Sequence, residues 1–331
     1  MSAKPQVVAP HTIASLPILV IEAHGRCNCR CVMCDIWKST DNRMLSLAQL
    51  EAQLDSLEQL GTLWVVFSGG EPLMNPNIFR LSDMLRERGI RVTLLSSGLL
   101  FERYAREIAE HIDDAIVSLD GPAQVHDKIR GVPGAFHQIA RGIWPIHLIR
   151  PDFVVAARCT VQKLNHAVLA KTARDARAID VSSISFLAAD LTSSAFNRDV
   201  PWSRIRQSEV ALNEMEIAAL DLQIQQLLQD PFVIDSPRHL RRIAQHFRAH
   251  LGLQPHESPR CNAPWVSAVM SVDGFVRPCF FHAPIGSIRA SDDVAGSLHQ
   301  IVNSTDARKF RQNLDIATDP TCQNCVCSLY R

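Results

Sequence analysis

The sequence predicts an α/β fold in which parallel strand–helix units form a barrel or an open sheet, followed by a smaller α+β unit rich in cysteine. Three observations carry this expectation. Six short apolar runs alternate with longer stretches whose apolar residues recur at helical spacing. The polar and glycine-rich motifs fall directly after the strands, at the carboxyl ends where the sites of such folds are built. The alternation stops near Ala188, and five of the ten cysteines crowd into the last quarter of the 331 residues.

In chain order, residues 17–22 read as a first buried strand. Residues 45–60 read as a helix, with Leu45, Leu47, Leu50, Leu54, Leu57 and Leu60 at helical spacing. Strands follow at 62–67, 90–95 and 114–119, with helices at 78–88 and 100–111. A helix at 135–148, a strand at 153–161, a helix at 167–178 and a strand at 183–187 complete the series. Such alternation implies parallel strands joined by right-handed crossovers. Residues 188–201 read as a polar loop, 209–228 as a long amphipathic helix, and 237–250 as a helix that is basic on one side. Two short strands, 266–272 and 275–280, flank the hairpin signal Asp273-Gly274. The expected organisation is an N-terminal extension (1–16), a core (17–200), a helical connector (201–256) and a C-terminal unit (257–331).

Lys plus Arg equals Asp plus Glu at 34 each, so no bulk field favours nucleic acid or an acidic membrane. No segment approaches the roughly 18–20 apolar residues of a transmembrane helix. The N-terminus has neither the basic nor the apolar region of a signal peptide. The expectation is a soluble cytoplasmic protein with neither nucleic acid nor membrane as partner. In a reducing compartment, cysteines point to metal or catalysis rather than to disulfides.

Four cysteines, Cys27, Cys29, Cys31 and Cys34, fall within eight residues. Cys27, Cys31 and Cys34 stand as C-x3-C-x2-C. Cysteines this close would form strained disulfide rings. A structural zinc site takes four ligands, usually in two C-x2-C knuckles, and no second pair lies nearby. Three thiolates suit instead an iron–sulfur cubane with one iron left open, which means chemistry rather than scaffolding. Cys29 is read as a non-ligand, because alternate residues in so tight a loop are expected to point apart.

On these residues the chain resembles the radical SAM superfamily, whose C-x3-C-x2-C loop holds a 4Fe-4S cluster chelated by S-adenosylmethionine (SAM). The resemblance implies a partial (β/α)6 TIM-like barrel. Met33 stands where relatives usually carry an aromatic residue. Gly69-Gly70-Glu71-Pro72, after the second strand, matches the family's GGEP motif, which binds the methionyl amine. Two glycines let backbone approach a ligand closely, and Glu71 offers an acceptor to an ammonium. Ser118 and Asp120, closing the fourth strand, correspond to the ribose-binding segment, though a helix N-cap is the plainer role. Arg130, in His126-Asp127-Lys128-Ile129-Arg130, matches the arginine that reaches the SAM carboxylate.

Cys261 and Cys279, then Cys322 and Cys325, supply four further thiolates in two groups. Their spacing alone suits a zinc ribbon equally well. Downstream of a radical SAM core they resemble the twitch subclass, a shortened SPASM domain with one auxiliary 4Fe-4S cluster, and Cys327 is left over. The resemblance implies an enzyme that cleaves SAM reductively to a 5′-deoxyadenosyl radical and abstracts a substrate hydrogen atom. The auxiliary cluster would transfer an electron, and a flavodoxin- or ferredoxin-type donor would supply the first one. By analogy with twitch dehydrogenases, the main expectation is oxidation of a small polar, sugar- or aminocyclitol-like molecule. The alternative is a maturase of a ribosomally made peptide, catalysing epimerisation or cross-linking. Only about sixteen residues precede the first strand, which leans slightly against that alternative. Outside the class stands a non-catalytic zinc or iron–sulfur binding protein. Asp190, Ser193, Ser194, Asn197 and Arg198 are candidate substrate contacts, and the basic face around Arg238, Arg241 and Arg242 is expected to be solvated.

Overall fold

The computed structural model of the chain describes residues 11–198, 200–289 and 296–330. The six predicted strands are β1 (Ile18–His24), β2 (Trp64–Gly69), β3 (Arg91–Ser96), β4 (Asp114–Ser118), β5 (Val154–Val161) and β6 (Ser183–Ala188). They lie parallel in spatial order 6-5-4-3-2-1, as expected of a partial barrel. The sheet does not end at β1. A seventh strand, β7 (Ser267–Met270), pairs in parallel with its other side, and β8 (Phe275–Arg277) and β9 (Gly286–Ser287) follow antiparallel. The C-terminal region therefore continues the barrel sheet, which has nine strands among the described residues.

Period-two burial explains the faces. In β5, Val155, Ala157, Cys159 and Val161 are buried while Arg158 points to the accessible side. Cys159 is thus a small core residue, as its place within a strand suggested. The inward faces of the strands are largely apolar: Ile18, Val20, Trp64, Val66, Leu95 and Ile116 line one cavity. Near the amino ends of β2–β4, Trp64 Nε1 donates to Thr93 Oγ1 (2.7 Å), whose hydroxyl donates to Asp114 (2.7 Å).

The helices depart from the expectations in instructive ways. The predicted helix over 45–60 is two short ones, α1 (Leu47–Glu51) and α2 (Leu54–Gln59). The break frees the buried Gln53 side chain, which donates to Gly296 O (3.3 Å) and accepts from Leu298 N (2.8 Å). Helices α3 (Ile78–Arg86), α4 (Ala105–His111), α6 (Ala135–Ile149) and α7 (Leu169–Ala178) match the periodic stretches. Between them α5 (Ala123–Arg130), too short and polar to show as periodic, ends at Gly131 with φ +65°. A short α8 (Arg204–Ser208) precedes α9 (Glu214–Leu227), whose start is set by the Asn213/Glu216 capping box. Helix α10 (Pro237–His250) has the predicted limits. Beyond it, α11 (Ala263–Val266), α12 (Leu298–Val302), α13 (Thr305–Asn313) and α14 (Pro320–Gln323) were not anticipated. Helices α12 and α13 begin where Ser297 and Ser304 accept hydrogen bonds from the backbone of Gln300 and Ala307.

Removing everything from residue 257 onward would strip β1 of β7 and leave an unpaired apolar edge through Ile18, Leu19, Val20 and Ile21. Such a truncated chain is expected to self-associate on size-exclusion chromatography and to lose its cooperative unfolding transition. A monomeric truncation with a sharp transition would show that the C-terminal unit is a separable module.

Candidate metal and cofactor centre

The cysteine loop leaves the carboxyl end of β1 and is held from three sides. Arg30 N and Val32 N donate to Arg130 O (2.8 Å) and Ile129 O (3.0 Å) at the end of α5. On the second side, Gly70 N donates to His24 O (2.9 Å) and Glu71 N to Arg26 O (2.8 Å). This approach requires glycine. A Cβ on Gly70 would lie 1.9 Å from Arg26 O, and Gly69 adopts φ +111° against His24 O. His24 turns its own ring inward, Nδ1 accepting from Arg26 N at 2.9 Å, which is a structural task.

The third side is the loop after β6. Arg198 donates to Met33 O (3.2 Å), Asn197 to Asp35 O (3.2 Å) and Trp202 Nε1 to Asp35 Oδ2 (2.6 Å), while Arg206 reaches Val32 O. Arg198 is neutralised by Asp190 at 2.5 Å, both almost wholly buried, and lies 3.7 Å over the Trp202 ring. Asp190 also accepts from the Ser193 hydroxyl (2.6 Å). Asp190, Ser193, Asn197 and Arg198, candidates for substrate contact by sequence, are thus spent on fastening this loop to the cysteine loop. Ser194, Asn197 and Arg198 do still border the cleft beside it.

Within the loop Cys29, read as a non-ligand, is 2 % exposed and does not point apart from its neighbours: hydrogen bonding with Cys27 and Cys31 raises its pKa. The same bond from Cys29, helped by the Arg130 guanidinium and opposed by burial, brings the Cys31 thiol down to about 7. Arg130 Nη1 lies 3.5 Å from Cys31 Sγ. Burial pushes Cys34 up to about 12. Among the described residues, the buried polar atoms beside the loop that lack a hydrogen-bonding partner include Arg130 Nε, Arg198 Nε and Gln162 Oε1. The Gln162 amide nitrogen sits 3.4 Å from Met33 Sδ. Three soft thiols, a neighbouring cation and unpaired polar groups suit a thiolate-held cluster with a polar ligand on it.

The expected SAM-contacting residues divide. Gly69, Gly70, Met33, Arg130 and Ser118 lie on or close to the loop and the carboxyl ends of the strands. Glu71 and Asp120 are turned inward with no exposure. Glu71 accepts from Leu73 N (3.1 Å), Ser96 Oγ (2.8 Å), Ser97 N (2.8 Å) and Ser97 Oγ (2.6 Å), so its carboxylate pins the β2 and β3 ends together. Pro72 opens the short turn that follows. Asp120 accepts from Thr160 N (2.8 Å) and pairs with Arg130 at 2.6 Å, which makes it the counter-ion of that arginine instead of a group facing the cleft. Burial raises the pKa of both acids against these bonds. His126, buried and held near a pKa of about 3 by desolvation, accepts from Asp120 N (3.1 Å).

All five C-terminal cysteines, Cys261, Cys279, Cys322, Cys325 and Cys327, line one cavity of about 250 Å3 that opens onto the inward face of the barrel. Convergence of five thiols satisfies the donor count of an auxiliary cluster and includes Cys327, which spacing alone left unassigned. Burial pushes Cys279 up to about 11 and Cys322 up to about 12. His282 was missed by the sequence reading, although it follows Cys279 at C-x2-H spacing. Its Nδ1 lies 3.0 Å from Cys279 Sγ, its Nε2 3.3 Å from Asp319, and Asp319 accepts from Cys322 N at 2.9 Å. The basic face of α10 is also not wholly solvated: Arg242 is buried, donating to Glu257 O (3.1 Å) and to Cys325 O.

A second cleft of about 450 Å3, polar at its rim, runs from Gly69 and Gly70 past Glu22, Asp41 and Arg43 to Asp273 and Arg277. Burial raises the Glu22 pKa, against a hydrogen bond from Val272. This acid at the end of β1 had been counted only as part of a strand.

If Asp120 is chiefly the buried partner of Arg130, Asp120→Ala should cost the cluster-free protein about 3–5 kcal/mol in urea unfolding, because it strands a buried cation. Ser118→Ala should cost less than about 1 kcal/mol. Equal and small losses would return Asp120 to the role of a ligand-facing group.

Comparison with known proteins agrees with this geometry. Residues 21–143 match the family described as the radical SAM superfamily, and residues 261–326 match SPASM, an iron–sulfur cluster-binding domain. Fe-coproporphyrin III synthase of Methanosarcina barkeri is 34 % identical over 157 residues, 45 % of this chain and 38 % of that protein. The subtilosin biosynthesis protein AlbA of Bacillus subtilis is 26 % identical over 268 residues, 78 % of this chain and 53 % of that protein. The chain thus spans about half the length, or less, of these curated relatives. Among solved structures, Streptococcus suis SuiB bound to its precursor peptide SuiA superimposes with a TM-score of 0.66 at 12 % identity, covering 97 % of this chain and 73 % of that one, a likeness of fold. Among the described residues no helix is long and apolar enough to cross a membrane. The two domains imply two groups, a SAM-bound 4Fe-4S cluster and an auxiliary cluster, and the thiols fit both. The chain carries a radical SAM superfamily domain over residues 21–143 and a C-terminal SPASM iron–sulfur cluster-binding domain over residues 261–326.

Proposed function

We propose that this chain is a radical SAM maturase that modifies a ribosomally made peptide, with Cys27, Cys31 and Cys34 holding the SAM-binding cluster and the C-terminal thiols an auxiliary one. One observation carries the reading. The cleft beside the cysteine loop, walled there by Gly25, Gly69 and Gly70, and the cavity of the five C-terminal cysteines share Val269, Phe280 and Phe281, so one extended substrate could run from beside the loop to the C-terminal thiols. The domain limits expected from the sequence, with a core at 17–200 and an auxiliary unit from 257, belong to this proposal.

Cys27, Cys31 and Cys34 would hold the cluster and its SAM, whose chemistry, given one electron from a donor, would be hydrogen-atom abstraction from an unactivated C–H bond. The chain's own contribution is positional. Gly69 and Gly70 bring backbone close to the cluster loop, with Pro72 fixing the turn behind them. Met33, Ser118 and Arg130 stand where a polar ligand on the loop would be met, and Glu71 and Asp120 hold that wall from behind. Phe280, Phe281 and the apolar barrel face keep water from a reactive carbon radical. Glu22, Asp273 and Arg277 give the cleft groups able to hold backbone amides or charged side chains.

The peptide reading displaces the small-molecule dehydrogenase expected from the sequence. AlbA, named for the biosynthesis of a bacteriocin, is similar over 78 % of this chain, whereas Fe-coproporphyrin III synthase matches less than half of it. The long polar-rimmed cleft suits an extended chain better than a compact sugar. An external flavodoxin- or ferredoxin-type protein is the proposed electron donor.

Anaerobic reconstitution should give about eight iron atoms per chain, four for each cluster. Addition of dithionite and SAM should form 5′-deoxyadenosine, and Cys31→Ala should reduce it to background. Incubation with short peptides encoded beside the gene should change the mass of one of them, by two hydrogens for a cross-link. Bound zinc with no deoxyadenosine would defeat the enzyme reading, and turnover of an aminocyclitol but no peptide would defeat the maturase.

A further inference from the structure

Two cations beside the auxiliary thiols, the inward-facing Arg158 and the buried Arg242, have no ion-paired carboxylate among the described residues. Arg158, from β5, lines the same cavity as the five cysteines, and its Nε reaches only toward Ser185 Oγ at 3.4 Å. Arg242, from α10 and 8 % exposed, spends its donors on two carbonyls, Glu257 O and Cys325 O. Neither guanidinium has a carboxylate within 4.0 Å among the described residues. The acids nearby lie against other groups: Asp190 against Arg198 (2.5 Å), Asp235 against the His239 ring (3.7 Å), Glu257 against Arg238 (3.1 Å) and Asp319 against the His282 ring (3.3 Å), so Asp235 and Glu257 act on Arg158 and Arg242 only through space. The cysteine loop at the other site differs. Its neighbouring cation, Arg130, is neutralised by Asp120 at 2.6 Å.

Adding an electron to an iron–sulfur cluster adds a negative charge. A fixed cation nearby favours the reduced form, and more strongly in a poorly hydrated cavity. Arginine keeps its charge at any working pH, so the effect is constant. We propose that Arg158 and Arg242 hold the reduction potential of the auxiliary cluster above that of the Cys27/Cys31/Cys34 cluster and so make it the electron acceptor of the pair. Both are positioning residues that act through the cluster's charge. Hydrogen bonding from Cys325, and then the two guanidiniums, lower the Cys327 thiol, which fits a cationic surrounding. In the oxidative branch of the proposed reaction, the electron comes from the carbon radical left on the substrate. That carbon would lose one electron and bond to a heteroatom of the same peptide, such as a thiol sulfur, whose S–H bond breaks to release the proton, and the electron would pass to the auxiliary cluster.

The inference rests on the reading above only in that both sites hold clusters, and its test needs no turnover. The reconstituted full chain is titrated potentiometrically with EPR detection, and the Cys27→Ala/Cys31→Ala/Cys34→Ala protein identifies the auxiliary signal. In the wild type that signal should appear at the higher potential. Arg158→Gln and Arg242→Gln, made separately, should each lower the auxiliary midpoint by at least a tenfold change in the one-electron equilibrium, ~59 mV. Arg158→Lys should restore most of the loss, and Arg241→Gln, on the exposed face of α10, should change nothing. Should one glutamine variant fail to hold its iron, the other and the wild-type order decide. Unshifted midpoints in a loaded glutamine variant, or an auxiliary cluster reduced at the lower potential, would overturn the proposal, whatever the outcome of the peptide assay.

Discussion

Strand β1 is hydrogen-bonded on both sides, to β2 through Ile18–Glu22 and to β7 through Ile18–Ile21, and both thiol groups depend on that double pairing. At its carboxyl end the register with β2 slips between Glu22 and His24, and the chain turns there into the cysteine loop. On the other side, β7 and β8 bring Cys279 and the residues beyond it over the barrel's inner face. The β7 pairing, together with Gln53 on Gly296 and Leu298 and Arg242 on Cys325 O, fixes the C-terminal thiols relative to the first three.

The charges of the site are arranged inside this frame by pairing rather than by exposure. Arg198 with Asp190 fastens the post-β6 loop to Met33, and Arg130 with Asp120 stands behind Cys31. Each is a buried pair whose value lies in fixing a position, since desolvation consumes most of the Coulomb gain. Glu71 works in the same way through four donors. The motif residues that look most like ligand groups are thus the ones that give the loop its shape, while glycines and a thioether lie closest to it.

Much of the fold was legible because apolar periodicity in β1–β6 and in helices such as α6 and α10 is a local property of the chain. The first cysteine group was legible from spacing, and its partner group from two short spacings and a hairpin signal at Gly274, which does adopt φ +85°. What escaped reading was non-local. The run around residues 267–270 carries no mark that it pairs with a strand some 250 residues earlier. Nothing in Asp120 or Glu71 announces that its partners are Arg130 and the serines after β3. Cys29 is buried beside Cys27 and Cys31, a placement that simple alternation in a tight loop does not indicate. Arg242 looked like one more surface charge until α10 was packed against the Cys325 segment.

The central claim is that the two thiol groups, far apart in the chain, serve one shared cleft. The electron-spin relaxation of the reduced auxiliary cluster measures this most directly, compared between the full chain and a protein with Cys27, Cys31 and Cys34 replaced by alanine. The shared cleft predicts faster relaxation when both clusters are present and reduced, through dipolar coupling across the barrel mouth. Identical relaxation in the two proteins would contradict it.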